Sequence, residues 1–152
     1  MTISLSFPFI LASASPRREN LLRSVGLPFK IHPAHVDETY LPGESPKTHV
    51  KRLSQSKAAV IASRYPRALV LGADTIVVID GLILGKPKNK KQARDMLQRL
   101  SNRAHTVFTG FTLVCAEAGL SRTRVVRSSV QFKEIEPDDM RWYINCDEPY
   151  DK

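Results

Sequence analysis

Asp74 stands between Leu69-Val70-Leu71-Gly72-Ala73 and Ile76-Val77-Val78, an apolar run that reads as a strand buried on both faces. An unpaired carboxylate there is costly or takes up a proton, so a cation, a metal or several donors must neutralise it. It is either half of a buried salt bridge or, in a cleft, a general base or metal-holding carboxylate.

Four cations and a second acid are candidates to work with it. Arg17 and Arg18 follow Ser15-Pro16, a cap-plus-proline helix start, so two guanidiniums fall in a first turn where the helix dipole disfavours cations. An anion docked among the free N–H groups and the guanidinium forks accounts for that placement; a solvated basic turn is the plainer account. Lys57 falls on the inner, Leu53/Ile61 side of a helix, either snorkelling outward or directed into a cleft. Lys86 lies in Gly81-Leu82-Ile83-Leu84-Gly85-Lys86-Pro87, which fails as a P-loop because the glycines are too close and Pro87 replaces the Ser/Thr. Asp37-Glu38 offers hard oxygen ligands for Mg²⁺ or Mn²⁺, or is an ordinary loop pair. His32 and His35 nearby raise zinc, but their spacing in an extended segment argues against it. No Ser-His-Asp or Cys-His arrangement is legible.

The elements that must position these groups can be read from pattern and punctuation. Phe7 to Leu11 is a buried strand; a helix from Pro16 uses Leu21, Leu22 and Val25 as its inner face and closes at Gly26 and Pro28. A second strand spans Phe29 to Asp37. Ser45-Pro46 starts a helix with Val50, Leu53, Ala58 and Ile61 inward, ending near Arg64. Ala68 to Ile79 is a strand turned by Asp80-Gly81 into Leu82-Ile83-Leu84. A helix over Lys90 to Leu100 buries Ala93, Met96, Leu97 and Leu100. Strands His105 to Glu117 and Leu120 to Glu134 meet at Gly119, and Pro137 opens a last helix towards Cys146. Early alternation followed by a long hairpin predicts an α/β fold: a mixed central sheet flanked by helices. Asp147 to Lys152 reads as a loop in mid-course, with the closing elements expected beyond it.

The bulk numbers narrow the class. At 152 residues and 42% hydrophobic content the chain fits one domain with a core of its own. No apolar stretch reaches the roughly 20 residues of a membrane span, and the start lacks a secretion-signal layout. Two cysteines, Cys115 and Cys146, without metal or redox spacing suit a reducing cytoplasm. The net charge of +8 points to a polyanionic partner. The one basic cluster, Lys86 to Lys91, has no aromatic residue for base stacking, which argues against nucleic acid. Phosphate-gripping cations beside Glu38 and Asp74 are what metal-assisted attack of water on a polyphosphate requires.

Taken together, several segments resemble the Maf family of nucleoside triphosphate pyrophosphatases, whose fold is similar to that of the inosine triphosphatases. They are Leu-Ala-Ser-Ala-Ser-Pro-Arg-Arg at 11–18, Val-Asp-Glu-Thr at 36–39, Gly-Glu-Ser-Pro at 43–46, Gly-Ala-Asp-Thr at 72–75, Leu-Gly-Lys-Pro at 84–87 and His105-Thr-Val-Phe-Thr-Gly110. The closing Glu-Pro-Tyr-Asp-Lys matches the start of a further motif. The resemblance implies hydrolysis to the monophosphate and pyrophosphate with a divalent metal, Mg²⁺ or Mn²⁺, as house-cleaning of the nucleotide pool. It puts Asp74 in the position of the proton acceptor. Ser13, Arg17, Arg18, Glu38, Lys57 and Lys86 match other active-site positions, Glu38 and Asp74 serving the metal. Arg17 after Pro16 and Thr75 after Asp74 resemble the dTTP/UTP branch rather than the 7-methyl-GTP branch. Two features depart from the family: its segment past the final lysine, which reaches a base-selecting glutamine, is not in this sequence, and Asn102 stands in place of a glycine. A non-catalytic nucleotide- or nucleic-acid-binding regulator linked to septum formation is the rival reading. The expected partner is a nucleoside triphosphate, without a membrane, and a homodimer stays open.

Overall fold

The computed structural model describes residues 6–150. In chain order the elements are β1 (Phe9–Leu11), α1 (Pro16–Ser24), β2 (Lys30–Ile31), α2 (Pro46–Arg64), β3 (Leu69–Ile79) and β4 (Leu82–Leu84). Then come α3 (Lys90–Leu100), β5 (Ala104–Cys115), β6 (Leu120–Gln131), α4 (Pro137–Ile144) and a 3₁₀ turn at Glu148–Tyr150. Among the described residues the sheet has six strands in the order β2-β1-β3-β5-β6, with β4 paired to β3. β1 is parallel to β2 and to β3, whereas β3 and β4 are antiparallel, so the sheet is mixed as expected. The chain divides into two compact units, residues up to Thr75 with Thr109–Val126, and Ile76–Phe108 with the residues after Val126.

In the first unit the parallel register sets Phe9, Ile10 and Leu11 opposite Leu69, Val70 and Leu71. The Ala12 N–H donates to Leu71 O at 2.8 Å and ends the pairing. The chain then leaves the carboxyl end of β1, which is where α/β sheets hold ligands. The core beneath consists of Ile10, Ala12, Ala58, Ile61, Ala62, Ala68 and Val70.

α2 lies close to the sheet because two glycines make room for it. A Cβ on Gly72 would stand 2.4 Å from Ser54 O, and one on Gly110 would stand 2.3 Å from Val50 O. Hydroxyls lock the contact: Ser54 Oγ meets Thr112 Oγ1 at 2.9 Å, and Thr112 meets Thr123 at 2.9 Å. Ser45 caps the helix by accepting the Thr48 N–H, and Val50, Leu53, Ala58 and Ile61 are buried as the pattern predicts.

α1 differs from expectation in two ways. Leu21 and Val25 are 68% and 55% exposed, and no α1 residue is buried. Ser15 occupies the N-cap position, but its side chain makes no capping bond. Instead Ser13 Oγ accepts the Ser15 N–H at 3.2 Å. The second strand is also shorter than predicted, because residues 32–41 run without regular pairing.

In the second unit Asp80 and Gly81 adopt φ of 51° and 74°, the left-handed pair a two-residue hairpin needs. Asn102 takes φ 55°, the conformation that glycine would otherwise supply. α3 packs on α4, with Ala93 buried and Met96, Leu97 and Leu100 half-buried. Asn89, not singled out by the sequence pattern, caps α3 by accepting the Gln92 N–H. Among the described residues no helix is long and apolar enough to cross a membrane.

Candidate active site

Asp74 is 6% exposed, in the middle of β3. The cation it requires is Lys57, whose Nζ donates to Asp74 Oδ1 at 2.8 Å from the buried face of α2. The same Nζ lies 2.8 Å from Glu38 Oε1. One ammonium therefore joins a buried carboxylate on a strand to a largely exposed one on an irregular loop. The lysine sits at 57 because three turns of α2 carry it from the Ser45 cap to the floor made by Gly72.

Arg18 flanks this pair. Its Nη1 donates to Ser13 Oγ at 2.9 Å and its Nη2 to Thr75 Oγ1 at 3.4 Å. Thr75 in turn meets Thr109 Oγ1 at 3.1 Å. Burial lowers the Arg18 pKa from its usual value, the charges of Asp74 and then Glu38 push it back up, and Arg17 lowers it. Arg18 remains a cation, held in a partly desolvated place where an anion gains most from meeting it. Thus Ser13, Arg18, Glu38, Lys57, Asp74 and Thr75 form one cluster of the first unit.

The other expected residues lie elsewhere. Arg17 is exposed in the first turn of α1. Lys86 belongs to the second unit, exposed in the loop after β4. Asp37 turns away from its neighbour: its Oδ1 accepts from Thr39 N at 2.9 Å and Thr39 Oγ1 at 2.5 Å, bonds that lower its pKa. His32 pairs with the Tyr65 ring at a centroid distance of 4.6 Å. Among the described residues no group of three or more His, Cys, Asp or Glu side chains converges as a metal cage.

The network that holds the Glu38 loop was not legible in the sequence. Glu44, with its side chain 4% exposed, receives Arg52 Nε at 2.7 Å and Nη2 at 2.9 Å, and its Oε2 meets His49 Nδ1 at 2.9 Å. These contacts, the Arg52 fork foremost, pull the Glu44 pKa down to about 2. Arg52 Nη2 also donates to Thr39 O at 3.0 Å, beside Glu38. Only the segment Gly-Glu-Ser-Pro at 43–46 marked this place, without a role for its acid.

Two carboxylates converging on a single positive point are the donor set that Mg²⁺ or Mn²⁺ uses when phosphates and water complete the shell. The residues present fit such an ion. The second unit holds a separate cavity of about 650 Å³ between α3 and α4, lined by Arg94, Gln98, Glu134, Met140 and Arg141 among others. None of the six residues of the Asp74 cluster lines it.

The model of the Maf-like protein family matches residues 8–152. A dTTP/UTP pyrophosphatase of Syntrophus aciditrophicus is 56% identical over 148 residues, 97% of this chain and 72% of that protein. One from Symbiobacterium thermophilum is 46% identical over 143 residues, 94% of this chain and 73% of its own length. Among solved structures, a HAM1 protein from Coxiella burnetii aligns with a TM-score of 0.51 at 16% identity, over 82% of this chain and 72% of that one. That last likeness concerns the fold alone.

Proposed function

The chain belongs to the Maf-like protein family, and from that premise we propose that it hydrolyses dTTP and UTP at the α–β anhydride, releasing the nucleoside monophosphate and pyrophosphate. The reading rests on one observation above the rest: Lys57 Nζ lies 2.8 Å from both Asp74 and Glu38, with Arg18 alongside. The names of the relatives favour the dTTP/UTP branch over 7-methyl-GTP. The physiological role that goes with it is removal of unwanted nucleotides from the pool.

Each group has a task its position supports. Arg18, kept in place by Ser13 and Thr75, and Lys57 meet the phosphate oxygens, and Arg17 adds charge from the exposed first turn of α1. Asp74 orients a water and takes its proton as the oxygen attacks phosphorus at the α–β anhydride. The anhydride P–O bond then breaks, and pyrophosphate leaves with the bonding pair. Glu38 and Asp74 would hold a Mg²⁺ or Mn²⁺ ion, which neutralises charge on the phosphates. Arg18, fixed by Ser13 and Thr75, needs no rearrangement as charge develops.

The test is to incubate the purified protein with dTTP and Mg²⁺ or Mn²⁺ and separate the products. Thymidine monophosphate and pyrophosphate are expected. Thymidine diphosphate with orthophosphate, no turnover, or full activity in Asp74→Asn would overturn the reading.

A further inference from the structure

In the free protein the seat between Glu38 and Asp74 already has a cation in it. Lys57 Nζ stands at 2.8 Å from an oxygen of each, with the Lys57 and Asp74 side chains both 9% exposed and Glu38 60% exposed. An exposed glutamate on a loop has water available and no need of a lysine. Its attachment to the ammonium means that the two acids share one charge. Their sum with Lys57 is one net negative charge; without it, two. A divalent ion and an ammonium compete for the same lone pairs and repel each other.

The lysine can yield only in one way. α2 cannot shift, since Gly72 and Gly110 bring its backbone against the sheet and Ser54 is tied to Thr112. The flexible four-carbon side chain, by contrast, can turn about its own bonds once its partners change. Phosphate oxygens beside Arg18 are the partners that would draw it off.

We infer that Lys57 is a place-holding cation which keeps a divalent metal out of the Glu38–Asp74 pair until a triphosphate takes the ammonium, so that metal and nucleotide load together. This rests on reading that pair as the metal seat, as proposed above. Linkage then requires each to raise the other's affinity by the same factor.

The experiment measures Mn²⁺ binding to the full chain by the electron paramagnetic resonance of the free ion, without turnover. Wild type should bind Mn²⁺ alone weakly. A non-hydrolysable α,β-imido analogue of dTTP should tighten binding about tenfold or more, after subtraction of the ion held by the analogue itself. Lys57→Gln should bind Mn²⁺ alone about tenfold more tightly than wild type and gain little from the analogue. Adding Glu38→Gln to Lys57→Gln should abolish that gain. Equal Mn²⁺ affinity in wild type and Lys57→Gln, or a gain that survives loss of Glu38, overturns the inference. Should Lys57→Gln fail to fold, the wild-type comparison decides: Mn²⁺ affinity indifferent to the analogue overturns it. If wild type hydrolyses no dTTP but Lys57→Gln tightens Mn²⁺ through Glu38, the place-holder stands and the assigned activity falls.

Discussion

Arg52 closes a two-bond fork on Glu44 from eight residues away, 2.7 Å from Nε to Oε1 and 2.9 Å from Nη2 to Oε2. The third bond of that guanidinium, to Thr39 O at 3.0 Å, fastens the residue after Glu38. Glu44 O also accepts the Tyr40 hydroxyl, and Glu44 Oε2 accepts the Leu41 N–H at 3.2 Å. A loop without regular structure is thus tied to the rigid helix that carries Lys57, and Glu38 meets the ammonium because its chain cannot wander.

Replacing the fork should therefore reach the metal before it reaches the nucleotide. Arg52→Lys keeps the charge and loses the planar two-bond geometry. The Mn²⁺ concentration for half-maximal activity is expected to rise about 10–100-fold, the usual effect of removing support behind a metal-holding carboxylate. KM for dTTP at saturating Mn²⁺ should change much less. A loss of active protein with both constants unchanged would mean that the fork serves folding alone.

Which parts of this were readable beforehand follows from the range of the forces involved. α2, α3 and the Asp80-Gly81 turn were legible because caps, periodicity and positive-φ residues act within a few positions. Asp74 was legible because a charge in an apolar strand is anomalous wherever the strand goes. The partners of Asp74 came from pattern, as Lys57 lies on an inward helical face, and from residue type, as Glu38 belongs to an acidic pair whose plainer reading is an ordinary loop. α1 misled: Leu21 and Val25 have helical spacing, but spacing describes a face and not what covers it. The Glu44–His49–Arg52 network bridges a loop and a helix, where no period applies, so nothing in the order of residues announced it.

Two groups should give stability distinct pH limbs. The Glu44 carboxyl falls from 4.5 to about 2 on folding, so its contribution is complete above about 4.5 and is lost as pH drops towards 2. His105 is buried against Phe132, with Nδ1 lacking a hydrogen-bond partner among the described residues. Burial pushes its pKa below 6.5. The unfolded chain then binds the proton first, and the fold loses stability as pH falls from 6.5 through the lowered folded value. Urea midpoints taken from about pH 8 to about pH 5 should decline in wild type and stay flatter in His105→Phe, which keeps the ring and removes the proton site. A parallel decline in both would assign that limb to other groups.

The seat of α2 can be tested by a single methyl. Gly72→Ala places a Cβ against Ser54 O and Ala58 N at 2.4 and 2.5 Å, backbone atoms that cannot step aside. A loss of about 1–3 kcal/mol in unfolding free energy is expected, as for other overpacked cores. Because α2 must back off the strand, Lys57 separates from Asp74 and kcat should fall with it. Gly85→Ala, whose Cβ would meet nothing within 4 Å, serves as the control and should leave stability unchanged. Equal stability in the two variants would contradict the close seating of the helix.

Arg18 should be irreplaceable by lysine even though the charge is kept. Its two arms reach Ser13 Oγ at 2.9 Å and Thr75 Oγ1 at 3.4 Å, and a lysine cannot span both while presenting a donor to phosphate. Arg18→Lys is expected to lower kcat/KM for dTTP at least about tenfold, since one lost charge-assisted bond is worth roughly 1.5–3 kcal/mol. Arg17→Lys, at an exposed position, should lose far less. Ser13→Ala separates the two effects of the anchor: the guanidinium stays but loses its shorter tether, so the loss should fall between those of the two arginine variants. The measurement is steady-state kinetics on the three variants at saturating metal. If Arg17→Lys proves the most damaging, the anion is gripped from the outside of α1, and the cluster around Asp74 is not where the phosphates lie.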